Sequence, residues 1–142
     1  MNARARPPGA ASPDGHRLFL AAGAAAAALA VVSGAFGAHA LRARFSPEVL
    51  ATYQTAVLYH FLHALGLIAV GLAGRTLSGS RALAWAGWCM LAGMLVFSGS
   101  LYLLCLTGAR WLGALTPAGG LALIAAWACL AVAVWRGPGG GT

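Results

Sequence analysis

The chain contains no lysine, and only two acidic residues, Asp14 and Glu48, stand against nine arginines in 142 residues. Charged residues make up 8% of the sequence, whereas soluble domains carry about a quarter. That deficit excludes an ordinary water-soluble core. The arginines fall singly or in pairs at the ends of apolar runs and form no patch. This argues against a nucleic-acid partner and reads as membrane-orienting charge. Cysteine is sparse as well. Cys89, Cys105 and Cys129 lie inside apolar runs, and an odd count so placed argues against a disulfide framework. They read as small packing residues. Neither CxxC nor CxxCH occurs, and the apolar runs lack the period-two alternation of half-buried strands.

What the sequence has in abundance is hydrophobic residues, 61% of the chain, with a mean hydropathy of +0.81. Four runs are long enough to cross a hydrocarbon core of about 30 Å, which takes about 20 helical residues. Helices and closed barrels alone satisfy their backbones in lipid, so the runs predict helices over about 18–41, 47–74, 83–107 and 117–136. The expected fold is all-α, an integral membrane four-helix bundle over 17–136. The Pro- and Gly-rich segment 1–16 and the tail 137–142 are expected to be disordered.

Local signals sharpen the boundaries. Ser46-Pro47-Glu48 offers a hydroxyl cap, a proline for the first helical position and an acid for the positive end of the dipole. Thr116-Pro117 can be read the same way, which starts the last helix at Pro117. The alternative is a helix from Trp111 kinked at Pro117. Arg17, the apolar run and Ala38-His39-Ala40 have the outline of a secretory signal. The run is longer than a usual signal core and more membrane sequence follows it, so a retained first helix is expected. Counting arginines puts Arg4, Arg6, Arg17, Arg75, Arg81 and Arg136 on one side and Arg42, Arg44 and Arg110 on the other. The positive-inside rule then places both termini in the cytoplasm.

Small residues recur every fourth position, at Ala22, Ala26, Ala30, Gly34 and Ala38 in the first helix and Ala118, Ala122 and Ala126 in the last. Such stripes let membrane helices approach closely. Polar residues concentrate at one level. At 1.5 Å per residue, His39 falls within about 3 Å of the outer boundary, His60 about 7 Å deep and His63 about 12 Å deep. Ser98, Ser100 and Tyr102 fall about 6–12 Å below the same surface. Thr116 and the Gly119-Gly120 pair share that level. An inverted topology would keep the layer and move it to the other side.

Interhelical hydrogen bonding accounts for such a layer without any ligand. Three histidines in spans also raise a functional reading, because ionisable residues are costly there. Haem, a three-histidine zinc or copper site, and a quinone or lipid headgroup site are the chemistries the layer allows. Hydrolysis is poorly supported: Ser98 or Ser100 with His60 lacks a carboxylate orienter, Glu48 being interfacial. Four helices without a buried acid offer no ion relay for transport.

The stretches "GAFGAHAL" (34–41), "YQTAVLYHFLHALGL" (53–67), "FSGSLYLLCLTG" (97–108) and "LGALTPAGGLALIAAW" (112–127) together resemble the YgdD-like family. These are small bacterial inner-membrane proteins with a domain of unknown function, similar to eukaryotic transmembrane protein 256. The resemblance implies about four membrane helices and no established activity. Its motif residues carry onto Gly34, Gly37, His39, Tyr53, Gln54, His63, Ser98, Gly99, Ser100, Tyr102, Thr116, Pro117, Gly119 and Gly120. His60 fits the pattern less clearly, which leaves His39 with His63 as the pair of interest. The expectation is a structural or accessory bundle without cofactor, metal or catalytic residues. Its partners are the lipid bilayer and another membrane protein or a second copy. The alternative is an outer-leaflet site for quinone, lipid headgroup or metal around His39 and His63.

Overall fold

The computed structural model describes residues 13–138. Four long helices follow one another: α1 (Pro13–Phe36), α2 (Pro47–Ala73), α3 (Arg81–Thr107) and α4 (Thr116–Arg136). A π-helical turn, Gly37–Leu41, extends α1, and a 3-10 turn, Arg110–Ala114, precedes α4. With those extensions, four stretches of 27 residues, Gly15–Leu41, Pro47–Ala73, Arg81–Thr107 and Arg110–Arg136, are each long and apolar enough to cross a membrane. At 1.5 Å per residue that is about 40 Å, so the ends pass beyond a hydrocarbon core of about 30 Å.

The helix starts follow local chemistry, with one exception. Ser46 Oγ accepts from the Val49 N–H at 3.4 Å, and Pro47 occupies the first turn of α2. Ser80 caps α3 in the same manner, accepting from the Leu83 N–H at 3.3 Å. At α4 the expected Thr116 cap does not form. Leu115 occupies the cap position without a side-chain bond, because the Thr116 hydroxyl is turned to Ser100, 3.1 Å away. The last helix is neither an uninterrupted run from Trp111 nor a clean start at Pro117: a 3-10 turn passes through Leu115 into α4. At the other end, α1 takes in Pro13–His16, which composition had assigned to a disordered segment. Of the remaining stretches expected to be disordered, 137–138 follow the end of α4 outside any helix, and 1–12 and 139–142 lie outside the described residues.

Short loops make sequence neighbours antiparallel neighbours, and α1 packs on α2, α2 on α3, and α3 on α4. The row is not closed. α2 and α4 touch only slightly and α1 makes no substantial contact with α4. The core is continuous through Phe19, Leu67, Val70, Ala86, Met90 and Ala126, with a second cluster of Ala26, Ala64, Met94 and Leu123.

Glycines set the closest approaches. A Cβ at Gly23 would lie 2.9 Å from both the Ala64 carbonyl oxygen and the Ile68 nitrogen, which fixes α1 on α2. A Cβ at Gly119 would lie 2.5 Å from the Phe97 nitrogen and 2.8 Å from its Cα, which fixes α4 on α3. Dispersion between touching backbones supplies the packing that hydrophobicity cannot supply in lipid. The four-residue stripes do not describe these interfaces. A strict four-residue repeat rotates by about 40° per step on a 3.6-residue helix. Ala26 and Ala30 are therefore buried while Ala38 and Ala118 are exposed. The buried line on α1 runs through Phe19, Gly23, Ala26 and Ala30, alternating steps of three and four.

Candidate functional site

The polar side chains gather towards the end of the bundle that carries the 42–46 and 108–115 connections, and they do so in two groups. The first joins α1, α2 and α3. Tyr53 is buried, and its hydroxyl donates to the Ser33 carbonyl of α1 at 3.0 Å. Its ring rests on Gly37, where a Cβ would come within 2.6 Å of the ring carbon Cε1. Tyr102 of α3 packs its ring against that of Tyr53, centroids 5.2 Å apart. The Tyr102 hydroxyl and His60 Nδ1 are 3.3 Å apart. The second group joins α3 to α4: Ser100 donates to the Phe97 carbonyl at 3.0 Å or shares its proton with Thr116 at 3.1 Å. Ser98, 2% exposed, has no hydrogen-bond partner among the described residues.

His39 does not join either group. In the π turn, wider than an α turn, Gly37 and Leu41 both face inward and are buried. His39 sits midway between them, on the opposite side, and is exposed. His63 also goes its own way. It is 6% exposed, and its Nδ1 lies 2.7 Å from the Tyr59 carbonyl one turn earlier. A carbonyl only accepts, so Nδ1 carries the proton, and in the neutral ring Nε2 keeps the lone pair. The histidines thus separate: His60 to α3, His63 towards α4, and His39 to the outside.

Sequence reasoning missed an aromatic ladder. Phe97 of α3 stacks on Tyr59 at 4.4 Å, Tyr59 on His63 at 5.7 Å, and His63 meets Trp127 of α4 at 6.1 Å. The ladder crosses the gap between α2 and α4. Below it opens a cleft of about 350 Å³ lined by Leu62, His63, Leu65, Gly66, Ala69 and Trp127. Gly66 admits both Met90 and the indole, since a Cβ there would come 2.6 Å from Met90 Sδ and 3.1 Å from Trp127 Cζ2. One signal was available: Tyr59, His63 and Gly66 follow at steps of four and three on α2, which puts them on one face. A separate cavity of about 220 Å³ lies at the opposite end, where His16, Phe19, Arg75, Ser80 and Leu83 are among its walls.

The chemistry these groups can perform is narrow. Neither Ser98 nor Ser100 bonds to a histidine, so no nucleophile–base pair stands assembled. Glu48 sits in the exposed first turn of α2. Among the described residues no group of three or more His, Cys, Asp or Glu side chains is placed to hold a metal ion. What remains is interhelical hydrogen bonding and a cleft with a single basic nitrogen on its wall.

Residues 33–120 match the family described as protein of unknown function DUF423. That segment contains every residue of both polar groups, from Ser33 to Thr116. The chain is 46% identical over 117 residues to the UPF0382 membrane protein YwdK of Bacillus subtilis, covering 82% of this chain and 95% of that one. It is 42% identical over 120 residues to the UPF0382 membrane protein SH2409 of Staphylococcus haemolyticus, covering 84% and 97% respectively. No solved structure is a significant match. The chain is a multi-pass membrane protein and belongs to the DUF423 family.

Proposed function

We propose that the protein is a packing module of the bacterial inner membrane, with both termini in the cytoplasm, that associates with other membrane components. The observation that carries this reading is how the polar side chains are spent. Tyr53, His60, Tyr102, Ser100 and Thr116 bond to one another or to backbone. They tie helix to helix, at about 0.6–2 kcal/mol per bond, and leave no reactive set. The unclosed row leaves α1 and α4 free along one side, with Leu29, Val31, Val32, Leu121 and Ile124 exposed. The orientation follows from the arginines, six towards the termini and the 74–80 loop and three towards the opposite end.

Extraction into native nanodiscs without detergent tests the association. The reading predicts a particle larger than one bundle, containing a second copy or another membrane protein. A lone chain in bulk-composition lipid would overturn it. An impermeant thiol reagent tests the orientation after the three native cysteines are replaced by alanine. Cysteine at the exposed His39 should label in intact cells, and cysteine at the exposed Arg75 only after permeabilisation. The reverse pattern contradicts the assignment.

A further inference from the structure

The cleft between α2 and α4 carries a group that the packing role does not use. His63 is more than nine-tenths buried, and its Nδ1 proton is committed to the Tyr59 carbonyl. Among the described residues its Nε2 has no hydrogen-bond partner, and it is not one of the fully enclosed unpaired atoms. His63 and Trp127 both line the cleft, which is the open space next to this ring. An acceptor left unpaired in a water-poor environment is costly, so the site favours an occupant that donates.

Three features narrow that occupant. Apart from His63 and the indole N–H, the walls are apolar: Leu62, Leu65, Gly66, Ala69 and the ring of Trp127, which is 45% exposed. An acyl chain would fill such walls and leave Nε2 unpaired. An anionic headgroup would set its oxygens against a lone pair, about 12 Å below the boundary by helical rise. The volume of about 350 Å³ lies at the small end of ligand pockets, about 300–1,000 Å³, and suits one ring. We propose that this cleft binds the ring of a membrane-soluble hydroquinone, with His63 Nε2 accepting from a ring hydroxyl and Trp127 packed beside the ring. Because Nδ1–H is already donated within α2 and the indole N–H can serve an oxygen of either ring form, it is the His63 contact that distinguishes the two forms. The hydroxyl of the hydroquinone donates to Nε2, whereas the carbonyl of the quinone can only accept. The proposal concerns binding alone and does not depend on what else the bundle packs against.

The test uses the full chain in nanodiscs of neutral lipid, with tetramethylhydroquinone under anaerobic conditions and tetramethylbenzoquinone as the oxidised counterpart. Binding is read by equilibrium partition against protein-free discs. The expected result is saturable binding of the hydroquinone, about tenfold weaker binding of the quinone, and about tenfold weaker hydroquinone binding by His63→Leu, one hydrogen bond in each case. His39→Leu should bind like the parent chain. Absence of saturable binding, equal binding of the two ring forms, or undiminished binding by a folded His63→Leu would each overturn the proposal. Should His63→Leu fail to fold, the comparison of ring forms on the unmodified chain decides alone.

Discussion

Replacing Gly119 by alanine tests the α3–α4 packing more severely than any side-chain truncation. The added Cβ would stand 2.5 Å from the Phe97 nitrogen, 2.8 Å from its Cα and 2.9 Å from its Cβ. Two of these atoms are backbone, so no rotamer change relieves the contact, and the helices must part by roughly an ångström to restore van der Waals separation. Overpacking of this kind costs about 1–3 kcal/mol, and the better helix propensity of alanine returns up to about 1 kcal/mol. Gly99 in α3 supplies the control, because a Cβ there meets nothing within 4 Å. Gly99→Ala should gain the propensity and pay no clash. The difference between the two variants therefore isolates the overpacking, about 1–3 kcal/mol, or at least a factor of about five in the folded ratio. Titration with a denaturing detergent, followed by helical circular dichroism, reads both on one scale. Equal stability of Gly119→Ala and Gly99→Ala would refute the close approach of α4 to Phe97.

The polar layer yields two further expectations on the same assay. Tyr53→Phe keeps the ring on Gly37 and removes only the hydroxyl that reaches Ser33, so it should cost about 0.6–1.7 kcal/mol; a silent variant would show that the bond contributes nothing. Ser98→Ala removes a buried hydroxyl with no partner and should be neutral or stabilising by up to about 1 kcal/mol. Ser100→Ala, which breaks the link to Thr116, should destabilise by about 0.6–1.7 kcal/mol. The opposite ranking of the two serines would contradict their assigned surroundings.

The number, length and order of the helices were legible because each depends on a local property, the run of apolar residues a bilayer requires. The Ser46-Pro47 start was legible for the same reason: cap and partner are three residues apart. Thr116 shows the limit. Its hydroxyl had two uses, a cap or an interhelical bond, and only the position of Ser100 on another helix decides between them. The depth of each polar residue followed from helical rise, but its direction did not. His60 and His63 are three apart and on adjoining faces, yet one meets Tyr102 of α3 and the other Trp127 of α4. Depth alone puts His39 in the layer, but it lies between the inward-facing Gly37 and Leu41, about 160–200° away from both on the helix, and so faces out. The cleft was hidden for a similar reason, since it exists because α2 and α4 stay apart, and no spacing within one helix reports that.

The central claim is an open row of helices, held by α1 on α2 and α3 on α4 but not closed by α1 on α4. Disulfide trapping in membranes tests it directly, on a chain whose Cys89, Cys105 and Cys129 are replaced by alanine. In Ser100→Cys with Thr116→Cys the two sulfurs take the places of oxygens 3.1 Å apart. In Gly34→Cys with Val57→Cys the new Cβ lies 3.3 Å from where Val57 Cγ1 stood. Both pairs should oxidise within one chain. Val32→Cys with Leu121→Cys joins exposed positions of the two outer helices and should remain reduced. An intramolecular bond from 32 to 121, or none from 100 to 116, would contradict the open row.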